Sequence, residues 1–161
     1  MGHKKHILPI IIGAQFASTS LWFAGNAIIS ELTQKTGLGS EIIGYVLSSV
    51  QLGFITGTLI FAVLMIVDRF SPSKVFLVCA LLGAACNFAL LSADISKWFL
   101  LGIRFGTGFF LAGIYPVGMK IAADYFEKGL GRALGYLVGA LVLGTAFPYL
   151  LGGTDWGQQP D

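Results

Sequence analysis

Gln15, Ser18 or Thr19, Trp22 and Asn26 recur at helical spacing in a stretch otherwise built of Ile, Leu, Phe and Ala. Amide, hydroxyl and indole groups at that spacing draw one hydrogen-bonding stripe down a helix, able to line a cavity and bind a solute. Arg104, Thr107, Leu111 and Tyr115 draw a second line in a stretch with no other charge. A guanidinium in such a place favours binding an anion, or controlling the ionisation of a neighbouring acid. Both stripes also have a structural reading. Amides and hydroxyls serve as glue between helices, and Arg104, roughly 9 Å along its helix from Trp98, could snorkel to an interface.

Other chemistries lack their residues. There is no Gly-x-x-x-x-Gly-Lys-Ser/Thr loop for nucleotide phosphates, no His-Glu-x-x-His, no Ser and His pair and no intramembrane Asp pair, which excludes an ATP-driven motor and argues against an enzyme. Cys79 and Cys86 fall roughly 10 Å apart along one helix, too far to bridge each other, and read as buried apolar thiols. His3 and His6 stand beside Lys4 and Lys5 at the start of the chain and do not read as ligands, so no metal or cofactor is expected.

The elements that must position the two stripes are long apolar runs. From His6 to Ser30, 25 consecutive residues carry no Lys, Arg, Asp or Glu. Of the 161 residues, 55% are hydrophobic and 11% charged, with 22 Gly and a mean hydropathy of +0.80. A soluble surface cannot be built from so few charges. A net charge of +2, dispersed between the runs, gives no footprint for nucleic acid. A hydrocarbon core of about 30 Å asks for about 20 apolar residues per helix. Reading between charges gives five spans, Ile7–Ile29, Ile42–Val67, Val75–Ala93, Trp98–Met119 and Ala133–Leu151, of which only the fourth holds a charge, Arg104. The expected class is an all-α, polytopic membrane protein, since β-barrel strands alternate over segments of about 10 residues. The opening run exceeds the usual length of a signal-peptide core and is read as a span.

Basic residues set the orientation. Lys4, Lys5, Arg69, Lys74, Lys120, Lys128 and Arg132 fall on one side of five alternating spans, and Lys35 and Lys97 on the other, which predicts a cytoplasmic amino terminus. Residues 154–161 are then a short extracytoplasmic tail. Turns are expected at Thr36–Ser40, Ser71-Pro72-Ser73 and Ala93–Lys97, with a short interfacial helix in Lys120–Arg132. Gly53 and Gly57 in span two have the four-residue spacing that lets helices approach, which makes packing the reading for their neighbours Ser48, Gln51 and Thr58 as well. Asn87 in span three reads as structural.

Asp68-Arg69 followed by a short turn and Lys74 resembles the loop of the major facilitator superfamily, in which an acid and several basic residues join spans two and three. Leu64 and Ser71 stand where the family usually has Gly. Leu100-Leu101-Gly102-Ile103-Arg104-Phe105-Gly106-Thr107-Gly108 resembles the family's fourth span, where an Arg is followed four residues later by Gly, and Tyr115-Pro116 sits where that span bends. Span five, with Gly131, Gly135, Gly139, Gly144, Pro148 and Gly152-Gly153, is similar to the family's antiporter signature, although Phe147 replaces a Gly and three residues separate Pro148 from the Gly pair.

The resemblance implies the amino-terminal part, residues 1–153, of a secondary transporter for a small solute, anionic if Arg104 binds it, working by alternating access. It implies a multi-pass protein of the plasma membrane or bacterial inner membrane, and coupling to H+ or another ion gradient. The family's members carry two six-helix bundles that rock about a central site. Five spans are one short of a bundle, so the chain is expected to be a fragment, or a truncated product whose missing carboxy-terminal half comes from a partner subunit. A non-transporting component that assembles through its Gly-rich faces is the alternative. Gln15, Trp22, Asn26, Arg104, Thr107 and Tyr115 are then expected to line the cavity. Asp68, Arg69, Asp124 and Arg132 would form a cytoplasmic charge network that latches one state, with Lys74, Lys120 and Lys128 as topogenic charges. Gly53, Gly57, Gly135, Gly139, Gly144 and Pro148 are expected to pack helices.

Overall fold

A computed structural model describes residues 4–27, 29, 39, 41–91, 96–126 and 129–153. The expected turn at Thr36–Ser40 (Gly39 apart), most of the Ala93–Lys97 turn, Lys35, Lys128, His3 and the 154–161 tail lie outside the described residues. The described chain forms α1 (Lys4–Ala27), α2 (Ile42–Val63), α3 (Ile66–Arg69), α4 (Pro72–Ala89), α5 (Lys97–Leu111), α6 (Tyr115–Tyr125) and α7 (Leu130–Gly153). Its segments Ile7–Asn26, Ile42–Val63, Pro72–Ala89, Lys97–Tyr125 and Leu130–Leu150 are long and apolar enough to cross a membrane. Each corresponds to one expected span.

Breaks within spans follow local chemistry. Span two does not run unbroken to Val67. α2 stops at Val63, and Met65 takes the left-handed conformation with φ 51°. That conformation costs a side-chain-bearing residue about 1 to 2 kcal/mol. α3 then restarts for one turn and carries Asp68 and Arg69. Pro72 opens α4, where its fixed φ suits a first turn and its missing N–H is not needed. The helix therefore starts three residues before Val75. Ser96 caps α5 by accepting the Phe99 N–H at 3.3 Å, satisfying one of the free donors of the first turn.

Span four is two helices joined by the turn Ala112–Ile114. Pro116 in the first turn of α6 has no N–H to offer the Ala112 carbonyl, so the ladder cannot pass through. Gly113 lets that turn lie directly on Cys79 and on the Phe61 ring, whose edge would be 2.8 Å from a Cβ there. α6 continues to Tyr125, so residues 120–125 extend span four and do not form the separate interfacial helix expected from the sequence. Gly129, at φ +84°, supplies the left-handed residue before α7.

Two helix pairs dominate the packing, α2 with α5 and α1 with α7. Glycines bring the first pair backbone to backbone. A Cβ at Gly53 would strike the Phe105 carbonyl, one at Gly57 would lie 2.6 Å from the Phe109 carbonyl oxygen, and one at Gly108 would strike the Val50 carbonyl. Ser49 Oγ donates to the Leu101 carbonyl at 2.7 Å across the same seam, and Lys97 Nζ lies 5.0 Å from the centre of the Tyr45 ring. In the second pair a Cβ at Gly144 would sit 3.0 Å from the Phe16 carbonyl oxygen, and Phe16 meets Phe147 edge-on at 5.4 Å. Gly135 and Gly139 face open space. They therefore make no close helix contact among the described residues, contrary to the packing expected of them. Pro148 is a buried residue within α7.

α4 and α6 close the bundle over an apolar core of Ile11, Val75, Cys79, Leu111, Val117 and Leu137. Both cysteines are free thiols. Leu59, Val63, Phe88, Leu91, Trp98 and Leu150 point outward, Trp98 with 78% of its surface exposed. Apolar surface of that extent belongs against lipid or other helices.

Candidate functional site

Arg104 projects from α5 into the bundle and is 0% exposed. Its Nη2 donates to Asn26 Oδ1 of α1, while Nε and Nη1 have no hydrogen-bond partner among the described residues. The side chain does not snorkel outward: the guanidinium turns inward against α1, where Gly25 leaves room for it. A buried cation held by one neutral acceptor is costly, because its hydration is lost and only one of its five N–H groups is repaid. The arrangement is chemically incomplete among the described residues.

The stripe on α1 divides into two parts. Gln15 and Thr19, 1% and 0% exposed, bond to each other within the helix: Thr19 Oγ1 donates to the Gln15 carbonyl at 2.7 Å and Gln15 Nε2 to Thr19 Oγ1 at 3.4 Å, while Gln15 Oε1 is buried with no partner among the described residues. Gln15 Oε1 abuts Gly118 of α6, 2.7 Å from where a Cβ would lie. Trp22 and Asn26 instead open onto a cleft of about 270 Å³ between α1 and α2, shared with Phe23, Val50, Gln51 and Phe54. Trp22 packs on Phe54 with ring centres 5.8 Å apart. On its other side Trp22 borders a small chamber with Ser18, Asn87, Thr107 and Leu111. The indole Nε1 is buried without a partner among the described residues. Trp22, Asn26, Arg104 and Thr107 are thus gathered where α1, α2, α4 and α5 meet.

Tyr115 is not gathered with them. It lies beyond the span-four break, on the order of 15 Å along the helix from Arg104. Two residues enter the region that sequence reasoning assigned to packing. Gln51 lines the cleft. Asn87 lines the chamber, with Nδ2 donating to the Gly83 carbonyl at 3.0 Å and Oδ1 buried with no partner among the described residues. Polarity in an apolar run was the available signal for both. Which face each occupies depends on how α2 and α4 pack.

At the far end of the bundle, Asp68 of α3 pairs with Lys120 of α6, Oδ1 to Nζ 3.2 Å. Lys120 therefore belongs with Asp68 and is more than a topogenic charge. The bridge ties the turn after span two to the end of span four. Asp124 follows Lys120 by one helical turn, a spacing that favours attraction. Arg69, Asp124 and Arg132 are exposed and make no ion pair among the described residues, so the expected four-residue network is present only as this single bridge. No cluster of His, Cys, Asp and Glu suited to a metal ion occurs among the described residues.

Compared with known families, residues 10–154 match the profile of the Major Facilitator Superfamily. No curated protein and no solved structure matches the chain.

Proposed function

The chain belongs to the Major Facilitator Superfamily, a family of multi-pass membrane transporters, and from that premise we propose that it forms one wall of a secondary active transporter whose small solute is an anion held by Arg104. The single observation that carries this reading is the buried guanidinium with two nitrogens that have no partner among the described residues. No Asp or Glu occurs within the described spans apart from Asp124 near the end of α6. A negative charge arriving with the solute would relieve the desolvation of Arg104 and so bind preferentially to the state in which the site is closed. Asn26 holds one end of the guanidinium, Trp22 and Phe54 supply an apolar flank, and Gln51 adds a hydrogen-bonding group on the cleft's rim. The opposing wall is assigned to a carboxy-terminal half or a partner subunit, which also supplies any carboxylate that couples transport to an ion gradient.

Uptake by the complete transporter tests this. Arg104→Lys keeps a positive charge but loses the planar set of donors, so it should raise KM for the solute by about ten-fold, the worth of one charge-assisted hydrogen bond, with membrane insertion intact. Unchanged kinetics would remove Arg104 from the site.

The Asp68–Lys120 bridge is assigned the role of a latch that favours one state of alternating access. Both groups are partly exposed, so the bridge is worth no more than a surface ion pair. That suffices to shift a balanced equilibrium about five-fold. Asp68→Asn should change the labelling rate of a cysteine placed at Gln51 by a membrane-impermeant maleimide by about that factor. Identical labelling in the two backgrounds would dismiss the latch.

A further inference from the structure

We infer that Gly25 is the seat of the Arg104 guanidinium and that Asn87 is its second support, the two acting as positioning residues for the solute's charge. The inference rests on the anion reading of the site. A Cβ built on Gly25 would collide with Arg104 Nη1, and would lie 3.0 Å from Arg104 Cζ and 3.1 Å from Asn87 Oδ1. The head of Arg104 thus fills the volume that a side chain at this position would take. The next residue, Asn26, accepts from Nη2. Two consecutive residues of α1 therefore fix the head, one by leaving space and one by bonding.

Asn87 approaches the same point from α4. Its Nδ2 is tied to the Gly83 carbonyl one turn earlier on its own helix, which fixes the direction of the amide. Oδ1 is then left buried and unpartnered beside the same missing Cβ as Nη1. An acceptor and a donor, each lacking a partner, are held on one spot by two different helices. The arrangement keeps the guanidinium in the bundle without neutralising it. A carboxylate at position 87 would neutralise it, whereas the amide oxygen offers only a dipole. Its charge stays available to a solute.

Three variants of the purified chain test this, with thermal unfolding as the readout and acetate, succinate and sulfate as anion probes. Gly25→Ala should lower the unfolding midpoint by about 5 °C, because rigid helix and guanidinium must separate. In an Arg104→Leu background, whose shorter side chain does not reach the seat, the same change should no longer lower the midpoint and should raise it slightly through helix propensity. Additive effects of the two changes would overturn the seat, since they would locate the cost of Gly25→Ala elsewhere in α1. Asn87→Asp should abolish stabilisation by the anion probes, because its carboxylate pairs with Arg104 in their place even though the Nδ2 bond to the Gly83 carbonyl is lost, an outcome that a merely structural asparagine does not give. An undiminished anion response in Asn87→Asp would overturn the role of Asn87. If the parent chain shows no anion response while the Gly25 and Arg104 effects are non-additive, the seat stands and the anion reading falls.

Discussion

Arg104→Met is expected to unfold at a higher temperature than the parent chain. Among the described residues the parent buries a full positive charge with one neutral acceptor and leaves Nε and Nη1 unpartnered. Methionine fills much of the same space without a charge to desolvate. Exchanges of buried charged groups for apolar ones of similar volume are often neutral, or stabilise by about 1 to 4 kcal/mol. Leaving Asn26 Oδ1 without its donor takes back about 1 kcal/mol. The net gain is then roughly 0 to 3 kcal/mol, or up to about 10 °C for a chain of this size. Stability gained by deleting a polar residue marks that residue as kept for function. A clear loss of stability in Arg104→Met would instead mean that the guanidinium is already compensated within the protein.

Gly108→Leu is expected to prevent the bundle from forming, whereas Gly139→Leu should be tolerated. At Gly108 an added Cβ falls on the Val50 carbonyl and 3.0 Å from the Phe54 nitrogen, both backbone atoms of α2 that cannot step aside. Helices α2 and α5 would have to part, losing the close contacts at Gly53 and Gly57 and the Ser49 to Leu101 hydrogen bond along the same seam. Overpacking usually costs about 1 to 3 kcal/mol. A leucine forced between two backbones should exceed that range. At Gly139 nothing lies within 4 Å of an added Cβ, and a leucine gains about 0.5 to 1 kcal/mol of helix propensity. Size-exclusion profiles of the two detergent-solubilised variants check the contrast. Monodisperse, folded Gly108→Leu would show that the α2 and α5 seam does not hold the bundle.

What was legible in the sequence follows from what a membrane does to a chain. Five apolar runs with charges between them leave little freedom in fold class, and each corresponds to a span-length helical segment. Polar groups stand out against such runs, so residue type alone distinguishes Gln15, Trp22, Asn26 and Arg104 from their neighbours. Facing direction was harder. Gln15 and Asn26 share a stripe, yet the first turns to Thr19 and Gly118 and the second to Arg104, because α6 covers only one end of α1. Pro116 announced the break in span four. Met65 gave no such notice, since a left-handed methionine carries no mark in its residue type. Lys120 read as a topogenic charge because its partner, Asp68, lies two spans earlier in the chain. Gly25 was one of 22 glycines, and only the packed guanidinium distinguishes it from Gly135 or Gly139.

The central claim, that Arg104 awaits an anion, is tested most directly by thermal unfolding of the purified chain with acetate, succinate and sulfate beside the neutral acetamide and succinamide. A ligand at one hundred times its Kd stabilises by about 2.7 kcal/mol. At least one anion should therefore raise the midpoint by several degrees, its neutral counterpart should not, and Arg104→Met should erase the difference. Equal shifts from an anion and its amide, or an anion response that survives Arg104→Met, would contradict the account.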